Sequence, residues 1–335
     1  MAAKSVPTLE DVATRAGVSR ATASRVINAD PRVREAARVA VQAAVDALGY
    51  RPNRAARSLV KRGPDSIAVV VPESDERVFS DPFFSGTLRG VTQALASTPL
   101  QVVLVMGEAG DDDGRMGRYL RGGHTDGAIV VSHHQDDNLW RVLEQTQLPS
   151  VFLGRPYSEQ ATMPYVDVDN AAGARLATEH LLARGCRTIG TITGPPDMSA
   201  GRDRLRGWEE VLREAGRPTD LVESGDFTAA GGAAAMHRLL ERSPDLDGVF
   251  VASDLMAVSA IGELSTLGRE VPGDVAVVGY DDSPAATLSR PGLTTVVNPV
   301  SQMAGRAVAL LLRLMAGEDA EPEVLSTRLV VRESA

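Results

Sequence analysis

From Ser66 onward, short unbroken apolar runs alternate with longer stretches of helical periodicity, and this alternation restricts the fold more than any other feature of the chain. Residues 67–72 (Ile-Ala-Val-Val-Val-Pro) carry no polar side chain, as suits a strand covered on both faces. Further runs lie at 102–106, 127–131, 150–153, 188–193, 248–252 and 275–279. Between them, 87–96, 139–145, 171–184, 205–215, 233–241, 256–267 and 303–316 read as helices. This succession predicts parallel α/β sheets joined by right-handed crossovers. The length suits two such lobes, whose ligand would lie beyond the carboxyl ends of the strands, in a shared cleft.

Residues 1–63 follow a different rule. They hold 12 Lys and Arg against 5 Asp and Glu, a net +7 in a chain of overall charge −9, which leaves −16 on the rest. A small basic head on a large acidic body fits a nucleic-acid-binding module, although a solvated basic face has the same composition. Three short helices are predicted in the head. The first follows Thr8, with Asp11 three residues on as a capping box, and Gly17 closes it. Ser19 caps a second helix from Arg20 to about Asn28, and a third runs from about Arg34 to Leu48. A helix–turn–helix of this kind can lay the start of its second helix against base edges in the major groove, where an arginine can grip one guanine with two hydrogen bonds.

The string TLEDVATRAGVSRATASRVIN, followed by LGYRPNRAARSL, closely resembles the head and hinge of the LacI/GalR family of bacterial regulators. The resemblance implies that Arg20, Ala21 and Arg25 read bases, and that Thr8, Ser19, Thr22, Ser24 and Asn28 hold the DNA backbone. Asn53, Arg54, Arg57, Ser58 and Leu59 would belong to a hinge helix in the minor groove, with Leu59 as the wedge between base pairs. So short a helix cannot persist alone in water, so a partner hinge and DNA must stabilise it. Two departures stand at the third helix, which begins Arg34-Glu35 and has Ala37 where a threonine is usual.

The body resembles the effector domain of the same family, and through it periplasmic sugar-binding proteins. Seven segments in order carry the likeness: Asp81-Pro82-Phe83-Phe84, Val166-Asp167-Val168-Asp169-Asn170, the stretch 202–208 ending in Trp208, Gly225-Asp226-Phe227, Ala252-Ser253-Asp254, Val278-Gly279-Tyr280-Asp281-Asp282 and Leu293-Thr294-Thr295-Val296. The implied organisation is a helix–turn–helix domain at 1–50, a hinge at 51–63 and an effector-binding and dimerisation domain at 64–335. The chain would cross three times between an N-lobe of about 64–165 plus 299–324 and a C-lobe of about 166–298 plus 325–335. Candidate effector contacts are Phe83, Phe84, Asp169, Arg204, Phe227, Ser253, Asp254 and Asp281. Aromatic faces with a few placed carboxylates and one guanidinium suit a polyhydroxylated ligand, a sugar first, while a nucleobase-like ligand stays open. Either phenylalanine can instead be core, Asp281 can cap a helix or pair with an arginine, and Arg204 can be a surface ion pair. Ser253, where the family commonly has asparagine, and Asn298, where it often has glutamine, weaken any transfer of ligand identity.

No phosphate-binding glycine loop, nucleophile elbow or metal-ligand spacing is present, so neither an enzyme nor a cofactor is expected. His133 and His134 read as ordinary polar residues on opposite faces of a strand, Cys186 as structural, and Asp111-Asp112-Asp113 as a solvated helix start. The opening residues lack the apolar core of a signal peptide, and no membrane span is expected. The expectation is a cytoplasmic homodimer that binds double-stranded operator DNA under control of a small molecule. A transport-associated sugar-binding protein is the rival, and it would lack the basic head.

Overall fold

The computed structural model describes residues 7–27, 30–50, 64–107, 114–158 and 161–335. It resolves into two compact units, Met1–Pro64 and Asp65–Ala335.

In the head, α1 (Leu9–Ala16), α2 (Arg20–Ile27) and α3 (Glu35–Leu48) pack around Val12, Ala13, Ala23, Val41 and Ala44. The caps form as the sequence predicts. Thr8 Oγ1 accepts from the Asp11 N–H at 3.3 Å while the Asp11 carboxylate accepts from the Thr8 N–H at 2.8 Å. Gly17 then takes a left-handed conformation (φ 66°), which turns the chain sharply into α2. Ser19 Oγ accepts from the Thr22 N–H at 3.2 Å, so two local caps fix the angle between α1 and α2. By contrast α3 starts after Arg34 with no side-chain cap, the place where the sequence departs from the family pattern.

The body opens with β1 (Ser66–Pro72), α4 (Asp75–Ser80), α5 (Pro82–Leu95), β2 (Gln101–Gly107), α6 (Arg115–Arg121), β3 (Gly127–Val131), α7 (Leu139–Thr146), β4 (Ser150–Leu153) and β5 (Tyr165–Val168). It continues with α8 (Asn170–Ala183), β6 (Ile189–Thr193), α9 (Ser199–Glu214), β7 (Val222–Ser224), α10 (Ala229–Arg242), β8 (Gly248–Val251), α11 (Asp254–Thr266), β9 (Ala276–Asp281), α12 (Pro284–Leu288) and β10 (Thr294–Val297). Last come α13 (Val300–Met315), β11 (Glu323–Leu325) and β12 (Leu329–Val330).

Two sheets form, in the orders β11-β5-β4-β3-β1-β2 and β12-β10-β9-β8-β6-β7. All pairings are parallel except that of β12 with β10. The runs are mostly apolar and show no polar alternation because each sheet is covered on both faces. On β1, Ile67, Val69 and Val71 join one core and Ala68 and Val70 the other; on β8, Val249 and Val251 separate from Phe250 in the same way. The period of two along a strand thus feeds two cores at once. The chain passes between the lobes at 169, at 298–299 and at 326–328. The first passage lies a few residues beyond the expected 165, because β5 belongs to the first sheet. No helix among the described residues is long and apolar enough to cross a membrane.

Candidate functional site

Strand ends supply almost the whole cleft. A cavity of about 80 Å³ lies between the lobes. Its lining residues follow β1 (Arg77, Asp81, Phe83), β3 (Ser132, His133), β4 (Gly154, Arg155), β5 (Asn170), β6 (Met198, Ser199), β7 (Phe227), β8 (Ser253) and β10 (Asn298). Asp167 and Asp281 sit at the ends of β5 and β9 themselves. Parallel strands whose carboxyl ends face one another place loops from both sheets around a single space.

Arg204 holds the floor of this cavity. It is 5 % exposed. Its Nε donates to Asn170 Oδ1 at 2.9 Å and one terminal nitrogen donates to the Ala252 carbonyl at 2.6 Å. The guanidinium lies 3.6 Å from the ring centroid of Tyr280 and 5.8 Å from that of Phe227. Asp281 Oδ1 stands 3.9 Å away, close enough for charge but not for a hydrogen bond, and it accepts from Asn298 Nδ2 at 3.1 Å. Desolvation in the cleft raises the Asp281 carboxyl above its ordinary value, with Arg204 opposing. Asp81, which caps α5 through the Phe83 N–H at 2.9 Å, is raised by burial as well. The cavity therefore presents carboxyls, a stacked guanidinium and aromatic faces to whatever enters it, the mixture that recognises hydroxyls on an apolar ring.

Backbone strain gathers here too. Ser132 (φ 57°), Phe227 (φ 62°), Asp281 (φ 125°) and Asp282 (φ 52°) are non-glycine residues in left-handed conformations, and all four lie at strand ends in the cleft. Such residues cost of order 1–3 kcal/mol each and persist where the surroundings over-determine them, as at ligand clamps.

His134 ties the lobes together at the rim. Its Nε2 is 3.0 Å from Glu73 Oε1 on the N-lobe, and its Nδ1 is 2.7 Å from Asp197 Oδ2 on the C-lobe. The hydrogen bond with Glu73 pushes its pKa up to about 9 against the opposing effect of burial, with Asp197 adding to the rise. Burial opposes ionisation of Glu73, but the hydrogen bond from His134 and the charge of Arg77 hold it below the usual carboxylate range. Arg155 reaches Asp203 across the lobes at 2.6 Å, and Arg77 lies 5.4 Å from the Phe227 centroid. His133 behaves oppositely to its neighbour. Burial lowers its pKa to about 4, so it is neutral, with Nε2 3.3 Å from the Gly154 carbonyl. The two do not alternate on a strand, because the chain leaves β3 at Val131; His133 lines the cavity and His134 bridges the lobes beside it.

In the head, Arg20, Ala21 and Arg25 are exposed. At about 100° per residue they and Ser24 fall within roughly 140° of arc, opposite buried Ala23. Arg20 makes a loose, exposed contact with Glu10 at 3.6 Å. Thr22 is half-buried and its Oγ1 lies 2.9 Å from Ser19 Oγ, so those two hydroxyls serve the cap.

Residues 8–53 match the model of the bacterial regulatory proteins of the lacI family, and residues 178–335 match that of the periplasmic binding protein-like domain. The HTH-type transcriptional regulator CelR of Thermobifida fusca is 48% identical over 98% of each chain. The chain belongs to the LacI/GalR family of transcriptional regulators. A solved CelR–cellobiose complex superposes with a TM-score of 0.79 at 46% identity, covering 98% of this chain and 100% of that one. The lac repressor dimer bound to operator and an anti-inducer gives 0.86 at 27% identity, covering 98% of both chains.

Against this LacI/GalR framework the expected contacts divide. Phe83, Arg204, Phe227, Ser253 and Asp281 come together on the cavity. Three others do not. Phe84 is 2 % exposed and belongs to the N-lobe core, since neighbours on a helix point about 100° apart. Asp169 is exposed and caps α8 through the Ala172 N–H at 2.9 Å, while Asp167 and Asn170 on either side line the cavity. Asp254 is fully buried, accepts from Thr295 Oγ1 at 2.5 Å and from the Ser283 N–H at 2.7 Å, and braces the turn that follows Asp281 without reaching the space. Sequence reading missed Arg77, Asp81, Asp167, Asn170, His133 and Arg155. A search for polar residues just past each apolar run would have found most of them. Asn28 and the hinge residues Asn53, Arg54, Arg57, Ser58 and Leu59 lie outside the described residues, as do Asp111, Asp112 and Asp113.

Proposed function

We propose that the protein is a sugar-responsive repressor. It acts in the cytoplasm as a homodimer on a pseudo-palindromic operator, with one head per half-site. The observation that carries this reading is the cleft itself: Arg204 stacked on Tyr280, Asp281 beside it and Phe227 above, in a chain that also presents Arg20 and Arg25 on an exposed helix face. A buried guanidinium and nearby carboxyls recognise hydroxyls in pairs, and an aromatic face covers the apolar side of a pyranose. Cellobiose, the sugar named in the CelR complex, is the first to test.

Arg20 and Arg25 act as base-reading residues, with Ala21 and Ser24 between them on the same face, and the hinge segment that includes Arg54, Arg57 and Leu59 enters the minor groove. Sugar binding alters how the lobes meet, and the spacing of the two hinges in the dimer changes with it. A coupling of about 1–3 kcal/mol between cleft and operator is enough for such control.

The test is a fluorescence-anisotropy titration of the full chain on fragments from upstream of its own coding region, with and without sugars. One fragment should bind at nanomolar concentrations, more weakly at higher salt, and a sugar should move that affinity at least fivefold. Equal binding to random duplex under all conditions overturns the reading.

A further inference from the structure

Asp197, Met198, Arg202 and Asp203 all reach across the cleft from one short segment, the loop after β6 and the opening of α9. Besides the pairs of Asp197 with His134 and of Asp203 with Arg155, the Gln135 N–H donates to the Asp197 carbonyl at 2.8 Å. The Arg202 guanidinium lies 4.9 Å from the centroid of the Tyr157 ring, near enough for a cation–π contact. One terminal nitrogen of Arg77 lies 3.9 Å from Met198 Sδ.

Two features of this seam set it apart. First, it is a wall of the cavity, since Arg77, Arg155 and Met198 take part in it and also line the space. Second, it lies away from the joints. The chain crosses between the lobes after β5, β10 and β11, which with β12 fill the first two places in each sheet order. The N-lobe side of the seam follows β1, β3 and β4 instead, and its C-lobe side follows β6. When two bodies turn about a joint, the contacts farthest from it must part first and widest.

The chemistry of the seam suits contacts that break and re-form. The His134 and Asp203 side chains are 15 % and 14 % exposed, but their partners Asp197 and Arg155 are 45 % and 41 % exposed. Water therefore reaches one member of each pair and can take the place of the other when they separate. Such half-hydrated pairs contribute little individually, and several along one edge add up to a modest barrier. Polar interfaces of this kind join bodies that move relative to one another, whereas a permanent seam would be apolar.

We infer that residues 197–203 form a latch across the mouth of the cleft: their pairing with His134, Gln135, Arg155 and Tyr157 holds the lobes closed, and a small molecule enters or leaves the cavity only while that seam is parted. The rate at which the cavity exchanges its occupant is then set by protein contacts at its edge rather than by the residues that grip the occupant. The latch acts in this way whatever molecule the cavity takes, so it stands or falls independently of the sugar reading above.

Thiol labelling of the full chain tests the latch without any effector. Cys186 is the only cysteine of the sequence, so a Cys186→Ala background with Met303→Cys carries a single thiol. Met303 is 3 % exposed and lines the cavity, and a thiol there reacts with N-ethylmaleimide at a rate that reports opening. Asp197→Ala and Asp203→Ala should each speed labelling about two- to fivefold, and the two together about tenfold. His134→Gln, which keeps a polar side chain at the seam, should act like either single change and serves if an alanine variant does not fold. Arg175→Ala removes a charged network between α8 and α9, outside the cleft, and should leave the rate as it was. Labelling of the Asp197→Ala, Asp203→Ala double variant at the parent rate overturns the latch. So does equal acceleration by Arg175→Ala, which would mean a general loosening of the body.

Discussion

Arg20 and Arg25 stand out exposed from α2, Arg20 in a loose contact with Glu10 and Arg25 in the field of Asp30, whereas Arg204 is almost entirely withdrawn from water and spends its donors on Asn170 and the Ala252 carbonyl. The head thus keeps these two cations at its surface, and the body builds its cation into the fold. Free arginines add affinity for an outside surface without stabilising their own domain. A buried one does both jobs, so its removal damages both.

That difference is open to direct attack. Arg204→Ala should be the most damaging change, because it leaves Asp281 without its neighbouring charge and two acceptors unpaired. Loss of about 3–5 kcal/mol is expected for breaking such a buried arrangement. A denaturant titration should show it, and calorimetry should show effector binding gone. Arg20→Ala with Arg25→Ala should cost at least about 2 kcal/mol of operator affinity at roughly 1–3 kcal/mol per base contact. The melting temperature should not move. A destabilised head would mean that these side chains belong to the fold after all.

Next comes Gly194→Ala, whose added carbon would lie 2.1 Å from the Phe227 ring. Displacing that ring should cost about 1–3 kcal/mol by overpacking and weaken the effector roughly tenfold, with operator affinity unaltered. His134 tests the rim. Its pKa is near 9 while it bridges the lobes, against about 6.5 for a free histidine. The bridged state therefore holds its proton more tightly, so its advantage is complete below about pH 6.5 and disappears as pH rises through about 9. Effector affinity should fall several-fold across that window in the native chain and stay flat in His134→Gln. A flat native profile would remove His134 from the closure of the lobes. Asp169→Ala is expected to do least. It should lower stability by about 1 kcal/mol through the lost cap and leave effector affinity as it was.

How much of this was legible in the sequence follows from how far each feature reaches along the chain. The helices of the head are set by Thr8 with Asp11, by Gly17 and by Ser19, each acting over three or four residues, and all of them form as the sequence predicts. The unbroken runs gave the buried strands for the same local reason. Short strands such as β7, β11 and β12 carry no comparable pattern, because they lie at or near sheet edges with little to bury. The cleft was harder to read. Whether Asp167 or Asp169 faces it depends on where β5 stops and α8 begins, a matter of one residue. The pairing of His134 with Asp197 joins residues of different lobes, and no spacing in the sequence announces it.

Asn298 sits in the second of the three strips of chain that join the lobes, and it is also part of the cavity wall. A molecule that grips Asn298 is therefore holding the axle as well as the door. On the proposed reading, recognition and rotation share one side chain, and no relay of intermediates is needed to carry news of occupancy to the joint. Substitutions at this position should then change how tightly a sugar binds and how far the lobes turn in a fixed proportion, and no variant at Asn298 should separate the two.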